Sequence, residues 1–206
     1  MADSDRPQFY LITPPDFDPE PFADRLAGVL DTVEIACIRI ALAARDPDRV
    51  GRAADAVRLA AHARDVAVVI DSHLKLVERH GLDGVHLPDG AKSVRDARKA
   101  LGADAIVGAH CGASRHDGMN AGEAGADYVA FGPVGDDPLG TAPRVGRDLF
   151  EWWSEMIEVP VVAEGALTAD LVADIAPVTD FFGIGDEIWQ AEDAVSALRA
   201  LIAPLG

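Results

Sequence analysis

Short apolar runs alternate with longer amphipathic segments along the whole chain, and that alternation predicts the elements. Phe9–Thr13 has the pattern of a compact strand, Pro19–Leu30 that of a helix, and Ile35–Ile40 is β-rich. Asp46 and Pro47 open the next helix as N-cap and first helical residue. Within it Val50, Ala54, Val57 and Ala61 recur at helical spacing. Val66–Ile70 is a continuous apolar run ending at Asp71, which suits a strand buried on both faces of a parallel sheet. Leu74–His80 is a short helix closed by Gly81, and Gly84–Leu87 is a strand. Ser93 caps a helix through Leu101, Gly102 ends it, and Ala105–Ala109 is the fifth strand. Met119–Ala124 is helical and Tyr128–Gly132 is the sixth strand, followed by a Gly/Pro loop from Pro133 to Gly146. Asp148–Ile157, Val159–Ala163, a Thr168-capped helix to Ile175, Phe181–Ile184 and Ala191–Ala203 complete the series.

Eight β/α units at roughly 25-residue spacing predict a single-domain (β/α)8 barrel over residues 1–206. The rival is an open doubly wound sheet. No GxGxxG follows the first strand, which weakens a dinucleotide-binding reading.

Composition narrows the partners. The net charge of −17 argues against DNA, RNA or an anionic membrane as a ligand. Met1–Gln8 is polar and no apolar run approaches spanning length, so the expectation is a cytoplasmic protein that does not enter the membrane. Cys37 and Cys111 are the only cysteines and read as reduced thiols.

In a barrel the chemistry sits at the C-terminal ends of the strands. Those ends carry Arg39, Asp71, His86, Asp89, His110, Cys111, Glu164, Gly165, Asp186 and Glu187, an acidic rim with two imidazoles and one arginine. Arg39 lies in an apolar β-run, so it must meet a carboxylate or reach an open pocket. A structural ion pair with Asp71 and a substrate contact are both open. Asp71 and Asp186 read either as helix caps or as site acids. His86, inside a strand, reads as a satisfied core histidine. His110, Cys111 and His116 suggest a transition metal, while Asp71, Asp89, Glu164 and Asp186 offer oxygens to magnesium. Clustered carboxylates raise one another's pKa, so one of them is a candidate general acid. Ala163–Thr168 keeps Gly165 and starts a helix whose amides suit an anion, yet Glu164 and Asp186 would repel one.

FYLIT at the start, GLDGVHLPD at Gly81–Asp89, GADAIVGAH at Gly102–His110, GADYVAFGPV at Gly125–Val134 and PVVAEGALT occur in an order that resembles the thiamine phosphate synthase and thiazole tautomerase superfamily. The resemblance implies the barrel, a small-molecule ligand, a homodimer, and the joining of hydroxymethylpyrimidine diphosphate to a thiazole phosphate with Mg2+ on the diphosphate. It implies a metal at Asp71, with Asp89 close to the second position, and ligand contacts from Arg39, Gly165, Ala166, Gly185 and Asp186. The family's glutamine–arginine–lysine strand end stands here as Cys37, Arg39 and Ala41. The family's asparagine–aspartate pair after strand three becomes Asp71 and Ser72, and the serines ending strand five and near the end of strand eight become His110 and Asp186. The hydroxyl–lysine loop after GPV becomes Asp136 and Asp137, with Arg144 as a partial replacement. The histidine on which the tautomerase branch relies falls at Gly112.

These departures remove positive charge and donors where a diphosphate leaving group needs them. The expectation is therefore a synthase-like protein with an incomplete diphosphate and magnesium site. The alternatives are a divergent enzyme on a related heterocycle, with Arg39, Asp71, His110 and Glu164 as its catalytic set, a metal-dependent enzyme using the acidic rim with His110, and a non-catalytic small-molecule or partner-binding barrel.

Overall fold

Eight runs dominated by apolar residues become eight short strands: β1 Gln8–Ile12, β2 Cys37–Ile40, β3 Ala67–Asp71, β4 Gly84–Leu87, β5 Ile106–His110, β6 Tyr128–Phe131, β7 Val161–Glu164 and β8 Phe181–Ile184. All neighbours are parallel, and β8 pairs back onto β1 to close the barrel. The computed structural model describes residues 6–44, 46–136 and 142–206. The helices around it are α1 Pro19–Leu30, α2 Pro47–His62, α3 Leu74–His80, α4 Val94–Leu101, α5 Arg115–Glu123, α6 Arg147–Met156, α7 Ala169–Ile175, α8 Asp186–Trp189 and α9 Ala194–Ile202. The expected final helix, Ala191–Ala203, begins later, at Ala194 behind its own cap Asp193, and a short turn of helix that the pattern did not predict, Asp186–Trp189, leaves β8 directly.

Capping follows the sequence in part. Asp46 and Thr168 accept backbone N–H groups of the helices they open, and Gly81 ends α3 in the left-handed conformation. Ser93 departs from the pattern. Its hydroxyl donates to Asp89 at 2.6 Å and caps no amide.

Strand alternation sorts the side chains into two cores. One set packs between barrel and helices, with Leu11, Ile38, Ile70, Val85, Val107, Phe131 and Ile184 fully excluded from water. Each such side chain contributes about 1.5–3 kcal/mol of burial. The other set, Tyr10, Cys37, Val69, Tyr128, Ala130 and Val162, fills the lumen. Trp153 is buried under β6 against Phe131, while its neighbour Trp152 is half-buried and lies against the Arg115 guanidinium.

Part of the acidity has a structural use at the bottom of the barrel. Asp83, Asp127 and Asp180 each stand immediately before an even-numbered strand. Each carboxylate accepts the backbone N–H of the preceding odd strand, from Val68, Val107 and Val161, at 2.7, 2.7 and 2.8 Å. A hydrogen bond to a charged acceptor contributes about 1.5–3 kcal/mol. These three acids therefore hold strand pairs together and leave the top face to other residues.

Candidate active site

Register decides what meets at the top. Ile12 is level with Arg39, Arg39 with Val69, Asp71 with His86, and Glu164 with Gly183. The alternation that puts Tyr10 and Tyr128 in the lumen therefore turns Arg39, Asp71, His86, His110 and Glu164 inward as well, at the C-terminal end. Among the described residues Arg39 is the one lysine or arginine carried by a strand.

Its guanidinium is the centre of the site. Nη1 donates to Glu164 Oε2 at 2.9 Å and to His86 Nε2 at 2.9 Å. Nε lies 3.5 Å from Asp71 Oδ1, an ion pair whose two atoms are off the line of a hydrogen bond. The side chains of Arg39 and Glu164 are only 11% and 9% exposed. His110 Nδ1 lies 3.0 Å from the other Glu164 oxygen, again as an electrostatic contact without hydrogen-bond alignment.

Because an arginine can only donate, His86 Nε2 must accept, and its proton sits on Nδ1. Nδ1 is 2.9 Å from the Tyr128 hydroxyl, which is 2.6 Å from the Tyr10 hydroxyl. The lumen thus carries a polar column from Tyr10 through Tyr128 and His86 to Arg39. Gly108 makes it possible, since a Cβ there would lie 2.0 Å from the Tyr128 ring. Gly183 does the same for Glu164, leaving a gap that a Cβ would close to 2.9 Å.

The charges respond to this packing. Burial disfavours ionised Glu164, but Arg39 and then His110 outweigh it and hold the carboxyl well below its ordinary range. Burial raises Asp71 to about 6, with Arg39 opposing the rise. Burial and then Arg39 keep His86 neutral. Burial also pushes the thiols of Cys37 and Cys111 up to about 12, so both are unreactive as thiolates near neutrality.

Two clefts flank this centre. One, of about 560 Å3, lies beside His110 and is walled by Asp89, Lys92, Asp117 and Asn120. The other, of about 300 Å3, lies between the ends of β1, β2, β7 and β8 and is lined by Thr13, Gly165, Ala166, Gly185, Asp186 and Glu187.

A family model described as thiamine monophosphate synthase matches residues 9–179. The chain belongs to this family. It is 42% identical to the thiamine-phosphate synthase of Rhodospirillum centenum over 89% of both chains. It is 36% identical to that of Erythrobacter litoralis over 98% of this chain and 99% of the other. The fold is that of the thiamine phosphate pyrophosphorylase from Pyrococcus furiosus, with a TM-score of 0.80 over 97% of both chains at 21% identity.

Arg39, Asp71, His110 and Glu164 are brought together. Gly165, Ala166, Gly185 and Asp186 share the smaller cleft. Asp89 borders the larger one with His110. Asp71 is no helix cap, because His73 precedes α3. Asp186 is exposed and begins α8 without capping it. His110, Cys111 and His116 are separated: His110 points into the lumen, Cys111 is buried outside it, and His116 is exposed against Asn120. Asp136 is exposed, 3.8 Å from Arg144, and Asp137 lies outside the described residues.

The magnesium reading meets a poor donor set. Asp71 Oδ1 faces a guanidinium and Asp89 accepts from Ser93. Among the described residues the group with ligand atoms close enough for a metal is His86, His110 and Glu164. Arg39 Nη1 already bonds two of those three, so a cation's place is held by the chain itself. This arrangement does not fit magnesium, which takes a near-octahedral set of oxygens.

Tyr10 and Tyr128 are not among the strand-end candidates, and Glu187 is there only as a member of the acidic rim, with no role assigned. For the tyrosines the signal was available, since both fall on the same strand alternation as Arg39. For Glu187 it was not. Its role depends on Leu167, which arrives from the neighbouring strand.

Proposed function

We propose that this member of the thiamine monophosphate synthase family performs acid–base chemistry on a small heterocyclic ligand at the barrel mouth, in place of magnesium-assisted diphosphate displacement. One observation carries the reading. Two carboxylates share one buried guanidinium and are driven apart, Glu164 downward and Asp71 up to about 6. Such a split assigns one carboxyl to hold charge and the other to move a proton.

Glu164 stays ionised, keeps Arg39 in place and orients His110. Asp71 holds or releases a proton near neutral pH. His110, about one-third exposed and bordering the larger cleft, contacts the ligand and passes the proton on. Arg39 acts as a positioning residue, because Nη1 is committed to Glu164 and His86. The convergence of these four side chains favours an enzyme over a purely binding barrel. The net charge of −17 supports a small-molecule partner and no nucleic acid. No helix among the described residues is long and apolar enough to cross a membrane. A cytoplasmic location and a homodimer belong to the same reading by family likeness.

Thermal shift against the pyrimidine and thiazole alcohols and their phosphates tests it. Stabilisation by an unphosphorylated heterocycle, lost in D71N, is expected. The second reading is the family coupling itself, favoured by 42% identity to a thiamine-phosphate synthase. Pyrophosphate release from the two phosphorylated precursors with magnesium, or rescue of a synthase-deficient strain, would establish it and overturn the first.

A further inference from the structure

β7 and β8 run side by side, and their exits bring two backbone amides to one point. Leu167 N and Gly185 N both donate to Glu187, to Oε1 at 3.0 Å and to Oε2 at 2.7 Å. The loop that presents Leu167 holds Gly165 at φ 88° and Ala166 at φ 53°. A non-glycine residue in that region is uncommon and is maintained only where its surroundings demand it. The result is a pair of fixed donors on adjacent loops, satisfied by the two oxygens of one carboxylate.

This end of a β/α barrel is where loop amides commonly receive a phosphate. A carboxylate that takes two convergent N–H groups is doing what two phosphate oxygens would do. The cleft beside it is lined by Asp186 and Glu187, with no lysine or arginine among its lining residues. An incoming phosphate would meet two negative groups and find its donors already taken.

We infer that Glu187 is a specificity-determining residue, a built-in anion that fills the amide cradle between β7 and β8. The cleft beside it therefore takes an uncharged or cationic end of a ligand and rejects a phosphate. Arg39 shows the complementary condition, a cation neutralised by the chain's own Glu164. The inference concerns ligand charge alone and is independent of the acid–base roles given to Asp71 and His110.

Inorganic phosphate is the probe, titrated by calorimetry at constant ionic strength, with amide chemical shifts of Gly185 and Leu167 locating the site. E187Q removes the charge but keeps an acceptor for one amide, and E187A removes both. Circular dichroism checks that each variant is folded. Wild type is expected to show no saturable binding, and E187Q to bind at least about tenfold more tightly, as loss of one nearby like charge requires. If E187A does not fold, E187Q alone decides. Phosphate binding by wild type equal to that of E187Q, with both amides shifting, overturns the inference. So does absence of binding in both variants. Should E187Q gain phosphate while wild type ignores every heterocycle, the role of Glu187 stands and the acid–base reading falls.

Discussion

Replacing Glu164 by glutamine isolates the charge that holds the mouth together. Glutamine keeps the size and one acceptor oxygen, so the change is electrostatic and leaves little cavity. Arg39, 11% exposed, would then face a neutral His86 and only Asp71, 3.5 Å away, as counter-charge. Removing one partner of a buried pair costs about 3–5 kcal/mol. Partial compensation by Asp71 places E164Q near the lower end, about 3 kcal/mol. For a chain of this length that lowers Tm by about 6–12 °C. Urea unfolding should show a lower midpoint with an unchanged slope.

The pH dependence has a definite sign. Glu164 is held below its ordinary value of 4.5, so its stabilisation is full above that value and is lost as pH falls below it. E164Q should therefore flatten the acid limb of the stability curve. The double variant R39M/E164L, which removes both charges, should be less destabilised than R39M or E164Q alone. A loss below about 1 kcal/mol in E164Q, or strict additivity in the double variant, would refute the coupling.

Asp71 behaves oppositely. Its folded-state value of about 6 exceeds the ordinary 3.8, so its contribution to stability declines as pH rises between those values and is constant above. D71N should abolish that decline and raise stability at pH 7–8 by about 1–2 kcal/mol, the carboxyl's partial exposure having reduced the full effect. Identical wild-type and D71N curves across pH 4–7 would contradict the assignment. G108A forces the Tyr128 ring to move and should cost about 1–3 kcal/mol or more by overpacking, with a changed near-ultraviolet tyrosine signal. An unaltered Tm and signal would show that the ring does not cross the lumen there. Y128F leaves the His86 Nδ1–H and the Tyr10 hydroxyl without their buried partner. It should cost about 1–3 kcal/mol in urea unfolding, and a change under about 0.5 kcal/mol would mean the column is not sealed from water.

Much of the barrel was legible because its signals are local. Asp46–Pro47 opens α2, Gly81 stops α3, and unbroken apolar runs mark the buried strands. Each depends on residues a few positions apart. The site was legible only as a set of positions. That Arg39 needed a carboxylate follows from its apolar surroundings, but Glu164, not Asp71, proved to be the closer one. It stands 125 positions away. Asp83, Asp127 and Asp180 contribute to the acidic composition, yet they work at the opposite end of the barrel from Glu164.

By itself, then, the sequence determined the order of elements and the family, because apolar runs, helical periods and caps are properties of neighbouring residues. Only the tertiary structure decided which inward residues share a level. Closure and register bring together groups that no local rule relates: Arg39 with Glu164, Tyr10 with Tyr128, and Glu187 with the amides of two different loops. Charge and hydrogen bonding act over a few ångströms of space. Their outcome here, a site whose cation and anion seat are both filled from within, was settled by that spatial proximity.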